Sequence, residues 1–198
     1  MDKEKPTILA ICGPSSAGKD SLSIWLRNDI NHRSNDNTCA NLIISDTTRP
    51  MRKKEKQDVA YHFCSEEEFF ERPHLESSSF RGWYYGTPQE GIKEGHVNIG
   101  IFNADGIAAL LKFKEQYNIV PILIEDFWWL RLLRSYGREG KWKLEYFRRA
   151  VADFFDFRRL KKEILPQYSK IVHLKNLDGV IRKTEETYKQ LEWFQRSS

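Results

Sequence analysis

Apolar residues along this chain come in short unbroken runs, separated by stretches where they recur every three or four positions. Residues 7–12 (Thr-Ile-Leu-Ala-Ile-Cys) run into a glycine, the pattern of a short strand buried on both faces. Leu22, Trp25, Leu26 and Ile30 then fall on one side of a helix, and residues 41–45 read as a second strand. From 46 to about 88 the texture changes: short β-like pieces, turn residues, a basic cluster and one acidic helix over 66–71 predict a small insertion. The alternation returns with a strand over 97–102, a helix over about 105–117, a strand over 119–124 and a helix over 127–135. A polar, glycine-bearing segment at 136–141 leads to a long helix from 144 to about 164, a strand at 170–174 and a terminal helix over 179–194. Strands alternating with helices predict an α/β fold, a parallel sheet with helices on both faces. We expect one domain, its core formed by about 1–45 and 96–198 around a small mixed α/β insertion at about 46–95.

Composition agrees with that reading and trims the function classes. A chain of 198 residues, 40% apolar, has enough material for one real core. It contains no run of apolar residues long enough for a spanning helix, and its charged first residues do not resemble a secretory signal, so no membrane and a cytoplasmic location are expected. Cys12, Cys39 and Cys64 are odd in number and lack CxxC spacing, which suits reduced thiols rather than a disulfide or zinc framework. The net charge of +4 fits an anionic small substrate or a nucleic acid and cannot choose between them.

The segment between the first strand and the first helix chooses. It reads Gly13-Pro14-Ser15-Ser16-Ala17-Gly18-Lys19-Asp20-Ser21, the G-x-x-x-x-G-K spacing of a phosphate cradle. Glycines let backbone N–H groups converge on a phosphate, the helix start adds a positive dipole, and the lysine reaches the outer phosphate oxygens. All nine residues are therefore candidates for ATP binding, with Lys19 also catalytic. The motif usually places Ser or Thr directly after the lysine as a ligand for Mg²⁺. Here Asp20 stands in that place, and Ser21 is the nearest hydroxyl; these two are the candidate metal ligands, although Asp20 reads equally well as a plain helix-start acid.

The basic cluster of the insertion supplies a second anion site. Arg49 and Arg52, with Tyr61, could hold a phosphate dianion by forked, charge-assisted hydrogen bonds, although a solvated basic loop would have the same composition. In order along the chain stand Gly13-Pro14-Ser15, Thr47-Thr48-Arg49, Arg52, Glu55, Tyr61, Phe63, Glu76 and Tyr84-Tyr85-Gly86. Taken together, these resemble the guanylate kinases, from residue 7 to about 105 and more faintly beyond. The resemblance implies that Ser45, Arg49, Arg52, Tyr61, Glu76, Tyr85, Thr87 and Asn103 line a GMP site. Guanine presents N1–H and N2–H₂ donors on one edge, which a carboxylate such as Glu76 can accept together, whereas adenine presents an acceptor there. Ser45 and Thr87 hydroxyls would serve the base edge, and Arg49, Arg52, Tyr61 and Tyr85 the phosphate. The resemblance also implies a helical lid at about 134–150, in which Arg134, Arg138, Arg148 and Arg149 are the candidate cations for the transferring group.

Some positions depart from the family pattern. Asn103 replaces its second aspartate, and the lid reads Tyr136-Gly137-Arg138-Glu139 where the family has arginine-glycine-threonine. With Lys19-Asp20-Ser21-Leu22, these are similar to ribose 1,5-bisphosphate phosphokinases, so a kinase for that acceptor is the alternative; Glu76 favours GMP or dGMP. A catalytically silent guanylate-kinase-like binding module is a second alternative, weakened by the intact Gly13, Gly18 and Lys19. Nucleic-acid binding by Arg148-Arg149, Arg158-Arg159 and Lys161-Lys162 is set aside, because Phe147, Val151, Phe154 and Phe155 fall at the spacing of a core stripe. Trp128 and Trp129 likewise read as core. The expected partners are ATP and GMP, and a monomer or a homodimer fits equally.

Overall fold

The computed structural model describes residues 5–34, 39–53, 55–80, 82–125, 144–169 and 171–175, with 129, 131, 133 and 136; for 144–150 and 175 it describes the backbone only. Its elements are β1 (Thr7–Cys12), α1 (Lys19–Arg33), β2 (Ala40–Leu42), β3 (Asp46–Thr47), β4 (His62–Phe63), α2 (Glu66–Glu71) and β5 (His74–Phe80). There follow β6 (Trp83–Pro88), β7 (Val97–Ile101), α3 (Ala104–Leu110), β8 (Asn118–Glu125), α4 (Leu144–Arg159) and β9 (Val172–Lys175).

The main sheet has five parallel strands in the order β2-β7-β1-β8-β9, which puts β1 at its centre with Leu9 between Ile99 and Val120. Because side chains alternate across a strand, β1 feeds two cores. Ile8, Ala10 and Cys12 pack with Ile107 and Leu110 of α3 and with Leu160 and Ile164. Leu9 and Ile11 pack on the other face with Leu22, Leu26 and Ile30 of α1. The continuous apolar run of the sequence is thus explained, since neither face meets water. Among the described residues no helix is long and apolar enough to cross a membrane.

Between β2 and β7 the chain builds a second, mixed sheet of four strands in the order β4-β3-β6-β5. The acidic helix α2 starts on a capping box, Ser65 Oγ accepting from the Glu68 amide at 3.1 Å while Glu68 Oε2 accepts from the Ser65 amide at 2.8 Å. This small unit is held by a buried anion. Asp46 is fully buried and accepts from Arg72 Nη1 at 2.8 Å and His74 Nε2 at 2.9 Å, with Phe69 stacked on the His74 ring at 4.3 Å. Asp46→Ala removes the shared partner of Arg72 and His74 and is expected to destabilise by about 3 kcal/mol, read from urea unfolding. The figure sits low in its range because Arg72 keeps some water contact.

Three sequence expectations need correction. The helix expected to reach 117 ends at Leu110 and tightens into a 3₁₀ turn, Leu111–Phe113. The chain must reverse there, since the Asn118 amide already donates to Pro6 O at 3.0 Å to start β8 beside β1. Val151, Phe154 and Phe155 are exposed, not core; the inward face of α4 carries Asp153, and Leu160 and Ile164 of the π-turn that follows. Asp153 turns inward because it has polar partners there, described below. Trp129 is also exposed, while Trp128, the side chain of Phe147, most of the expected helix at 127–135 and the whole of that at 179–194 lie outside the described residues.

Candidate active site

The loop after β1 is shaped by close backbone approach. A Cβ on Gly13 would lie 2.7 Å from Ile124 O, so the chain can leave the sheet beside β8 only without a side chain. Gly18 caps α1 in the left-handed region (φ 91°) and offers no side-chain cap, leaving the first amides of the helix for an anion. Ser16 also has positive φ, 62°, a strained position of the kind that accumulates at binding loops.

Lys19 folds back over this loop, its Nζ donating to Gly13 O at 2.7 Å and Pro14 O at 3.0 Å. Its surface is partly open to the cavity, yet protein surrounds the ammonium closely. That desolvation lowers its pKa, although the charges of Asp20 and Asp153 pull the other way. Asp153 sits against the loop: its carboxylate accepts from the Ser15 amide at 2.9 Å and from Ser15 Oγ at 3.3 Å. Arg131 Nη1 donates to the same carboxylate at 2.9 Å. Asp20 and Ser21 lie exposed on the first turn of α1.

In the second sheet, Glu55 organises the basic cluster. Both of its oxygens accept from the Arg49 guanidinium at 3.0 Å, and Oε2 also accepts from the Arg52 amide at 2.8 Å. The Arg49 guanidinium lies near the rings of Tyr61, at 5.4 Å, and Phe63, at 5.3 Å. Tyr61 meets Tyr85 edge-on at 5.8 Å, and burial pushes its hydroxyl up to about 12, so it stays a donor. Arg52 is largely exposed.

A β-bulge decides the third part of the site. The register of β5 against β6 slips between His74 and Glu76, so that Leu75 and Glu76 are both buried and Glu76, Ser78 and Phe80 then share one face. Glu76 is 8% exposed. Its Oε1 accepts from Thr87 Oγ1 at 2.8 Å, while Oε2 is buried without a partner. Burial raises its pKa from 4.5 to about 7 against the opposing hydrogen bonds from Thr87.

A cavity of about 150 Å³ is lined among others by Gly13, Ser15, Lys19, Ser45, Tyr61, Glu76, Ser78, Tyr85, Asn103 and Asp153, while Arg49 and Arg52 are not in its lining. Loop, second-sheet tyrosines and unpartnered carboxylate thus face one another. Thr87 is fully buried behind Glu76 and spends its proton on it, so its hydroxyl holds the carboxylate in place. Asn103 caps α3, its Oδ1 accepting from the Gly106 amide at 2.7 Å. Arg134 and Arg138, the side chains of Arg148 and Arg149, and most of the expected lid lie outside the described residues. Sequence reasoning missed Ser78, Arg131 and Asp153, and quoted Glu55 without a role. The two-residue spacing from Glu76 could have found Ser78; no local signal marks the other pair.

The comparisons with known proteins point the same way. The family model described as guanylate kinase matches residues 3–107, more than half of the chain. The chain belongs to the guanylate kinase family. It is 29% identical over 201 residues to the guanylate kinase of Wolinella succinogenes, an alignment spanning 96% of this chain and 84% of that protein. It is 39% identical over 90 residues to that of Lawsonia intracellularis, covering 43% of this chain and 39% of the relative. The solved structure of the guanylate kinase from Anaplasma phagocytophilum shares the fold, with a TM-score of 0.61 at 19% identity, covering 98% of this chain and 87% of that one. The family match ends at about the point where the resemblance read from the sequence fades.

Proposed function

We propose that this chain transfers the terminal phosphoryl group of ATP to GMP, giving ADP and GDP. The observation that carries the reading is the unpartnered, buried Oε2 of Glu76 in the same cavity as Lys19. A desolvated acceptor aimed into a cavity calls for donors on the ligand, and the guanine edge supplies two. A sugar bisphosphate offers Glu76 ribose hydroxyls rather than the paired N–H edge of guanine, and the comparisons lend no support to that acceptor or to a silent module.

Phosphoryl transfer asks for positioning and charge stabilisation rather than covalent catalysis. Lys19 and the first amides of α1 hold the donor phosphates. Arg49, fixed by Glu55, acts with Arg52, Tyr61 and Tyr85 on the acceptor phosphate, and Ser45 supports the base side. Because an ionised phosphate is already a nucleophile, no general base is required. Arg131 reaches the loop, its Nη1 lying 3.4 Å from Ser15 O; Arg134, Arg138, Arg148 and Arg149 complete the positive set in our reading of the lid, whose closure excludes water. We take the second sheet as the acceptor-binding unit of a single domain.

Asp20 and Ser21 offer hard oxygen donors beside Lys19, which suits Mg²⁺ with phosphates and water completing its shell. Bound there, Mg²⁺ would neutralise charge developing on the phosphates. The unbridged thiols of Cys12, Cys39 and Cys64 fit a reducing, cytoplasmic setting. Incubation with Mg·ATP and GMP is expected to yield GDP and ADP in equal amounts by chromatography; ADP without GDP would overturn the proposal.

A further inference from the structure

Ser78 occupies the position next to Glu76 on the cavity face of β5, and nothing above gives it a task. In strands, residues two apart share a face, and here Glu76, Ser78 and Phe80 all line the cavity while Ser77 and Ser79 point outward. Among the described residues, the side chain that Ser78 hydrogen-bonds is Asn103. Asn103 is fixed by its other contact: the Gly106 amide is a donor, so the group facing it at 2.7 Å must be the carboxamide oxygen. The Nδ2 group is therefore turned to Ser78 and donates to its Oγ at 2.9 Å. A hydroxyl has one proton and two lone pairs. One lone pair accepts from Asn103 Nδ2, and the proton is donated to Asn103 Oδ1, a long bond at 3.3 Å to an oxygen that also accepts from the Gly106 amide. A better-placed acceptor in the cavity can draw that proton away from so long a bond.

The side of Glu76 on which this donor lies is also defined. Thr87 holds Oε1 from the neighbouring strand. A Cβ on Gly106 would stand 3.2 Å from Glu76 Oε2 and 3.3 Å from Asn103 Oδ1, so the free carboxylate oxygen and the Asn103–Ser78 pair flank one point. A guanine whose N1–H and 2-amino group meet Glu76 with the amino group on Oε2 turns its sugar side toward Ser78. On that side it presents the second N–H of its amino group, a donor, and two acceptors that can take the Ser78 proton, ring N3 and the ribose 2′-oxygen.

We propose that Ser78 contacts the acceptor nucleotide, donating a hydrogen bond to an acceptor atom on the sugar side of the guanine, and that Asn103 is the positioning residue that aims its proton. An aspartate at 103 would cap α3 equally well but would draw the Ser78 proton onto itself. The asparagine therefore changes what Ser78 can offer a substrate. The inference rests on GMP as acceptor.

The test is steady-state kinetics of the full chain with GMP and with dGMP. Ser78→Ala is expected to raise the KM for GMP about five-fold, the worth of one neutral hydrogen bond, with less than half that change in the KM for ATP. Ser78→Thr, which keeps the hydroxyl, should recover most of the loss. If the contact is to the 2′-oxygen, Ser78→Ala leaves the KM for dGMP alone; if it is to N3, both rise together. Asn103→Asp should raise the KM for GMP more in the wild-type background than in Ser78→Ala, while the melting temperature stays that of the parent. Unchanged KM for both nucleotides in Ser78→Ala, with a parent that turns over GMP, overturns this inference alone. So do an equal rise for ATP and strict additivity of the two substitutions. A parent that cannot phosphorylate GMP overturns the acceptor assignment and this inference with it.

Discussion

Lys19→Met is expected to lower kcat by at least ~10³-fold without lowering the melting temperature, an effect of the size seen when preorganised charge is removed from a transition state. The two halves of that expectation come from one fact. The ammonium is surrounded by protein and has two backbone carbonyls as partners, at 2.7 and 3.0 Å, and burial depresses its pKa. In the free protein this is a desolvated cation whose partners do not fully compensate it, and methionine keeps the apolar stem without the charge. What the fold loses by burying Lys19 is offset only when anionic phosphate arrives. Near-normal turnover in the variant would remove the phosphate loop from the mechanism. A large drop in melting temperature would show that Lys19 mainly holds the loop together.

Glu76→Gln should raise the KM for GMP on the order of 100-fold and leave that for ATP nearly alone, since a carboxylate accepting two donors is replaced by a group that can accept only one. The same residue predicts a pH signature. Its pKa in the fold is about 7 against an ordinary 4.5, so between those values the folded state binds the extra proton. Stability contributed by the protonated form is complete below the ordinary value and is lost as pH rises through about 7. The gap corresponds to something on the order of 3 kcal/mol. Glutamine should abolish that slope and leave the variant more stable than the parent at pH above 7, as followed by urea unfolding across pH. Function runs the other way. Guanine donors need the ionised carboxylate, so GMP should bind more weakly below pH 7 and release a proton on binding, which calorimetry in buffers of different ionisation enthalpy detects. Proton uptake, or a KM for GMP independent of pH from 6 to 8, would contradict the role given to Glu76.

Much of this arrangement was legible before any coordinates. The buried β1 run, the Gly13–Lys19 spacing and the acidic helix α2 are local signals, written in period, cap and turn residues, and they appear where the pattern puts them. What the sequence hid depends on distant parts of the chain. Thr87 looked like a base-contacting hydroxyl, but the pairing of β5 with β6 spends its proton on Glu76. The bulge that turns Glu76 and Ser78 toward the cavity has no signature in His74-Leu75-Glu76. Val151, Phe154 and Phe155 have the period of a core stripe and are nevertheless exposed, because Asp153, one or two positions away, is drawn inward by Ser15 and Arg131. Those two partners lie 138 and 22 residues away along the chain, beyond the reach of any periodicity.

The central claim is that the free oxygen of Glu76 selects a guanine nucleotide as the phosphoryl acceptor. It is tested most directly by measuring ATP consumption with GMP, dGMP, AMP and ribose 1,5-bisphosphate, each offered separately at equal concentration. Rapid turnover with GMP, measurable turnover with dGMP, and little or none with AMP or the sugar bisphosphate are expected. Turnover with ribose 1,5-bisphosphate and none with GMP would contradict it.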